Sequence, residues 1–205
     1  MKRLSLEDSH RKILAEYGLE NIPAESCIPV LFEPGETVTR MGEEITQLYI
    51  VTDGRAKAYR LADNGKRLII CRYISEGLVG EIELLTGAKL ATTTVTAISS
   101  FSCIAVSYNK CQDELQHNLR FSNVLGRILA EKLVGSADNY VSSALYTGEQ
   151  RLCSYILNNA NGDRFCDNMT EVSASIAMSY RHMYRVLNGL CEKGILQKTN
   201  TVVCH

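Results

Sequence analysis

An α+β chain is predicted: an N-terminal antiparallel β-barrel or jelly roll, then one long helix, then a C-terminal winged helix-turn-helix. Three observations carry this. From Cys27 to Ser107, short apolar runs are separated by glycine turns. From Ser122 to Tyr146 a proline-free stretch repeats its apolar residues at helical spacing. Beyond it, two capped helical patterns meet at a tight turn near Met178-Ser179. Each change of hydrophobic period marks a boundary. The expected segments are 1–121, 122–146 and 147–205.

The bulk composition permits such a chain and narrows its partners. With 205 residues, 45% hydrophobic and 22% charged, it can bury a core without staples. The formal net charge of -1 means that any surface for nucleic acid must be a local basic patch. No run is long and apolar enough to cross a bilayer. The start, Met1 to Asp8, turns acidic at once and lacks the apolar stretch of a signal peptide. A cytoplasmic protein without membrane contact is expected.

Eight cysteines are present, with no C-x-x-C pair and no histidine at zinc spacing. Buried small hydrophobes are the expectation, and a redox-sensing thiol the alternative. The four histidines are scattered. No nucleophile–base pair, metal cluster or glycine-rich phosphate loop has the spacing catalysis needs. Neither an enzyme nor a metal site is therefore expected, and no catalytic residue is assigned.

Taken in order, residues to about Ile22 predict one or two short helices, with Leu4, Leu6, Ile13, Leu14 and Tyr17 on one face and Gly18 as the stop. Strands are expected over 48–52, 56–61, 67–74, 92–97 and 103–107. Asp53-Gly54 and Asn64-Gly65 supply the positive backbone angles of tight hairpins. Between Ser122 and Tyr146, Leu125, Leu129, Leu133, Ala137, Tyr140 and Ala144 form a stripe that Ile128, Val134 and Val141 widen. Such a helix is roughly 35 Å long. Its stripe is wider than one interface needs, so a dimer helix is expected over a helix docked within one chain. Thr147 and Gln150 form a capping box for the next helix.

The segment 170–196 is the most informative. Thr170 is expected to cap a first helix carrying Val172 and Ile176. Ser179 then caps a second, with Met183, Val186, Leu187 and Leu190 inward. Small residues Ser173, Ala174 and Ala177 are placed where the two helices cross. The second helix would enter a DNA major groove by its N-terminal end. Its outward residues are Tyr180, Arg181, His182 and Arg185. Arginine holds guanine O6 and N7 with two hydrogen bonds, and Ser179, Tyr180 and His182 can reach phosphate or base edges. A polar face on an ordinary helical pair is the alternative. Residues 195–203 then predict a small hairpin, a wing from which Lys198 can reach phosphate.

This order of parts resembles the CRP/FNR family, named for the cyclic AMP receptor protein and an oxygen regulator, over essentially the whole chain. The stretch Pro34-Gly35-Glu36 … Gly42 … Leu48-Tyr49-Ile50-Val51-Thr52-Asp53-Gly54 looks like the family's N-terminal strands. Gly80-Glu81-Ile82-Glu83-Leu84-Leu85 is similar to its phosphate cassette, and Ser179 to Leu187 occupies its recognition helix. Within the family, Gly80 to Leu84 and Ser179 to His182 are similar to the YeiL-like branch. The resemblance implies a cyclic-nucleotide-binding-like barrel, a homodimer on a palindromic duplex, and RNA polymerase as a further partner. It also implies an effector pocket holding Gly80, Glu81, Thr92, Thr93, Lys132 and Ser136.

The departures set the ligand expectation. Cyclic AMP binders of the family clamp the phosphate with an Arg-Ser pair, and Ala91 and Thr92 stand at those places here. A buried phosphate without its bidentate arginine loses its strongest partner. Cyclic AMP is therefore not expected, and no cofactor is assigned; a different small ligand or a redox signal stays open. Only Cys27 precedes Cys71, against the close N-terminal cysteine group of the family's iron–sulfur sensors. The span Cys27–Ser107 has no histidine for haem or a cupin-type metal. The family's Arg-Glu helix tip is Tyr180-Arg181 here, so the target sequence should differ. The rival reading is a small-molecule sensor whose helical tail contacts a protein rather than DNA.

Overall fold

The computed structural model describes residues 1–61, 67–160, 162–198 and 202–204. Within these, one compact unit takes in residues 1–61 and 69–133, and a second takes in residues 67–68 and those from 134 onward.

The first unit opens with β1 (Lys2–Arg3) and α1 (Asp8–Glu16), followed by β2 (Cys27–Phe32), β3 (Thr37–Thr39), β4 (Gln47–Asp53), β5 (Ala56–Leu61) and β6 (Arg67–Ile74). Then come β7 (Leu78–Val79), α2 (Glu81–Thr86), β8 (Thr94–Ala97), β9 (Phe101–Ser107), α3 (Gln112–His117) and the start of α4 (Leu119–Leu145). The strands form two sheets, ordered β1-β2-β9-β4-β7 and β3-β8-β5-β6. The recorded pairings are antiparallel, as in Ile50 opposite Ile104 and Ala58 opposite Val95.

Side chains alternate across a strand, and here both faces of the larger sheet are covered. Tyr49, Val51, Phe101 and Cys103 share one cluster with Ala56, Ala58 and Val95 of the smaller sheet. Their neighbours Leu48, Ile50, Ile104 and Val106 share a second cluster with Leu14 of α1 and with Phe121 and Leu125 of α4. That is why β4 and β9 read as continuous apolar runs rather than as alternation. Gly54 turns β4 into β5 with φ of +88°, and a Cβ there would collide with the Ser100 carbonyl.

The predicted strands 56–61 and 67–74 are β5 and β6; those at 48–52, 92–97 and 103–107 differ from β4, β8 and β9 by one or two residues at their ends. The N-terminus corrects the sequence reading. Lys2–Arg3 is not helical but pairs with Val30 and Leu31 of β2, and Leu4 is 38% exposed instead of on the helix face. The strands β3 and β7 and the six-residue helices α2 and α3 carry too few residues to show a period. The expected turns at Asn64-Gly65 and Thr199-Asn200 lie outside the described residues, as do the side chains of Cys71 and Cys204.

The helix α4 is unbroken for 27 residues. The second unit continues with α5 (Gly148–Asn159), β10 (Arg164–Phe165), α6 (Met169–Ser175), α7 (Tyr180–Glu192), β11 (Leu196–Lys198) and β12 (Val202–Cys204). The Thr147–Gln150 capping box is present in both directions. Leu152, Ile156, Phe165, Val172, Met183, Leu187 and Leu190 form the core. The wing is a three-stranded sheet, β10-β12-β11.

Candidate functional site

The helix pair α6–α7 is set by its caps. Asn168, not Thr170, caps α6: its side-chain oxygen accepts from the Thr170 and Glu171 amides. The helix ends in a Schellman motif, with Met178 N–H donating to Ser173 O at 2.9 Å and Ala177 N–H to Ala174 O at 3.4 Å. Ala177 takes the left-handed position, φ +49°, normally given to glycine. It is exposed at the turn, so the expectation that it packs at the crossing is corrected; Ser173 is buried there. Ser179 then caps α7, accepting from the His182 amide at 3.3 Å.

Met183, Leu187 and Leu190 face inward from α7. Ser179, Tyr180, Arg181, His182 and Arg185 are all exposed on its N-terminal half, and Lys198 is exposed on β11. Arg181 and Arg185 are one turn apart and have no carboxylate partner among the described residues. No acidic residue stands in the first turn of α7. The helix N-terminus and these cations therefore give one positive, hydrogen-bond-donating surface.

Tyr184 organises that surface and was not singled out from the sequence. Its ring centroid lies 4.6 Å from that of Tyr180, and the Lys198 ammonium sits 5.6 Å from its centre. A hydrogen bond to Tyr184 holds the Tyr180 phenol above its ordinary pKa. The four-residue spacing of Tyr180 and Tyr184 is the signal that could have found it.

The cassette residues lie in the first unit. Gly80 has φ of +97°, and a Cβ there would meet the Tyr108 hydroxyl at 2.5 Å. That hydroxyl donates to the Gly80 carbonyl at 2.6 Å. Burial, then the Glu83 and Glu81 charges, push its pKa upward. Glu81 is 3% exposed and accepts from the Lys132 ammonium at 2.7 Å; Lys132 also donates to the Leu78 carbonyl at 2.8 Å. Glu83, also missed, is 5% exposed and accepts from both the amide and the hydroxyl of Thr92, each at 2.7 Å. Thr93 is half-buried and its carbonyl accepts from Thr39. Ala91 is buried. Ser136 is exposed on α4 in the second unit.

Among the described residues no group of metal-binding side chains converges, and no helix is long and apolar enough to cross a membrane.

The chain thus orders a β-domain, one long helix and a winged helix-turn-helix. Residues 29–118 match the cyclic nucleotide-binding domain family. The regulatory protein YeiL of Escherichia coli O157:H7 is 25% identical over 162 residues, 79% of this chain and 74% of that protein. The c-di-GMP responsive global regulator CLP of Xanthomonas campestris superposes with a TM-score of 0.79 at 18% identity, over 88% of this chain and 95% of that one. A CRP-family transcriptional regulator from Thermus thermophilus gives 0.71 at 17% identity, over 85% and 91%. The chain thus matches the cyclic nucleotide-binding domain family over residues 29–118 and shares its fold with a solved CRP-family regulator.

Proposed function

We propose that the chain binds a palindromic site in double-stranded DNA as a homodimer and regulates transcription there. One observation carries the reading: Tyr180, Arg181, His182 and Arg185 stand exposed on a Ser179-capped helix, beside Lys198 of the wing. Arg181 and Arg185 read guanine edges, while Lys198, Ser179 and the α7 N-terminus hold phosphate.

Dimerisation uses α4, where Leu133, Tyr140 and Leu145 are 71%, 75% and 74% exposed. Two such chains present their α7 helices about 34 Å apart, the repeat of B-form DNA. A signal other than cyclic AMP shifts the population toward that arrangement only by favouring it over others. The setting is cytoplasmic, RNA polymerase is the further partner, and no catalysis is involved.

The test is Arg185→Ala against an operator selected from random duplexes. A loss of about 1–3 kcal/mol in binding is expected, with relaxed preference at one position. Wild-type binding should fall steeply with salt. Unchanged affinity in the variant would sink the assignment of the reading face.

A further inference from the structure

We propose that Glu83 is an internal anion that closes the cyclic nucleotide-binding domain to anionic ligands. The inference rests on the effector-domain reading and not on DNA binding. It goes beyond the missing arginine at Ala91 by naming what takes the ligand's place.

Ligands of the class for which the domain is named carry a ring phosphate. A buried anion needs donors aimed at it: amides, hydroxyls or cationic side chains. Around α2, the donor groups of Thr92, Lys132 and Tyr108 are each engaged with a partner on the chain. The Thr92 amide and hydroxyl both donate to Glu83 Oε1 at 2.7 Å. The Lys132 ammonium donates to Glu81 Oε1 at 2.7 Å and to the Leu78 carbonyl at 2.8 Å. The Tyr108 hydroxyl donates to the Gly80 carbonyl at 2.6 Å.

Charge counts the same way. Glu81 and Glu83 are 3% and 5% exposed, and Lys132 offsets only one of them. A phosphate entering here meets net negative charge in a poorly screened setting. It must also take the Thr92 donors and leave Glu83 buried with nothing to accept from. Glu83 thus bridges α2 and the segment before β8 across nine residues, as a bound anion would. The bridge is permanent, so this part of the domain holds its arrangement without a charged effector.

The experiment uses the full chain, with cyclic AMP and inorganic phosphate as probes and sodium chloride as the ionic-strength control. Calorimetry and thermal melts should show no binding of either probe to the wild type at millimolar concentration. Glu83→Ala frees the Thr92 donors and removes the charge, so millimolar cyclic AMP or phosphate should now raise its melting temperature. Affinity for cyclic AMP should rise by about tenfold or more over the wild type. Should Glu83→Ala fail to fold, Glu83→Gln keeps the shape without the charge and carries the same expectation in weaker form. Cyclic AMP binding to the wild type at micromolar affinity, or no gain with whichever variant folds, would overturn the proposal.

Discussion

Lys132 of α4 and Glu81 of α2 meet at 2.7 Å although 51 positions separate them in sequence. The carboxylate is buried and the lysine is 41% exposed. The pair joins the first turn of the short helix to the long one. Lys132→Met leaves a buried carboxylate without its cation. A loss of about 1–3 kcal/mol is expected in urea unfolding, discounted from a fully buried pair because the lysine is partly solvated. Adding Glu81→Gln should recover a good part of it, since both charges are then gone. A double variant no better than the single one would argue against the pair.

Ala177 holds a left-handed backbone at the turn between α6 and α7. Glycine takes that conformation freely, so Ala177→Gly should raise stability by about 0.5–1 kcal/mol, even after the entropy glycine adds to the unfolded chain. The side chain is exposed, so nothing is lost from the core. A fall in melting temperature would show that the residue does more than turn the chain.

Burial, then the neighbouring Cys111, push the Cys27 thiol from its ordinary 9.0 up to about 11. Burial also raises Cys103 and Cys111. The fold therefore favours the neutral thiol. This contribution is complete below about pH 9 and is lost as pH climbs toward 11, so stability should decline across that window. Iodoacetamide at neutral pH should label these three far more slowly than the exposed Cys166. Fast labelling of Cys27 in the folded chain would show that burial does not protect this thiol.

Tyr184 supports both Tyr180 and Lys198. Tyr184→Ala should weaken operator binding by about 0.5–1.5 kcal/mol without unfolding the domain, because ring stacking and the cation–π contact are lost together. Tyr184→Phe keeps the ring and should retain most of the affinity. Equal losses in both would assign the effect to the phenol oxygen instead.

The exposed apolar side chains of α4 should be covered in a dimer. Leu133→Asp with Tyr140→Asp puts charge where contact is expected, and sedimentation should show a monomer where the wild type shows a dimer. A monomeric wild type would remove the basis for paired reading helices.

The sequence made the hairpin strands, the Thr147 box and the Ser179 cap legible, because each depends on residues near one another in the chain. The Asp53-Gly54 turn and the inward stripe of α7 are further cases. Glu83 was not legible. Two places after Glu81 on an amphipathic helix, it reads as solvent-facing, and only the return of the chain to Thr92 gives it partners. Lys132 falls near the ligand by resemblance, but its bond to Glu81 joins residues 51 positions apart, and only the folded chain brings α2 and α4 together. Lys2 and Arg3 form a strand that their own propensities do not announce, since the edge of β2 supplies the hydrogen bonds. Ala177 reads as a packing residue by size, and its backbone angle is visible only once α6 stops.

The helix α4 passes from one compact unit into the other at Val134, and Gly135 comes next. Among the described residues, nothing beyond the neighbouring residues and the helix's own backbone lies within 4 Å of where a side chain on Gly135 would begin. Glycine weakens a helix by roughly 1 kcal/mol against alanine. Gly135 is thus a weak point of α4 by helix propensity. Backbone amides in that turn of α4 should therefore exchange with solvent faster than in a Gly135→Ala variant.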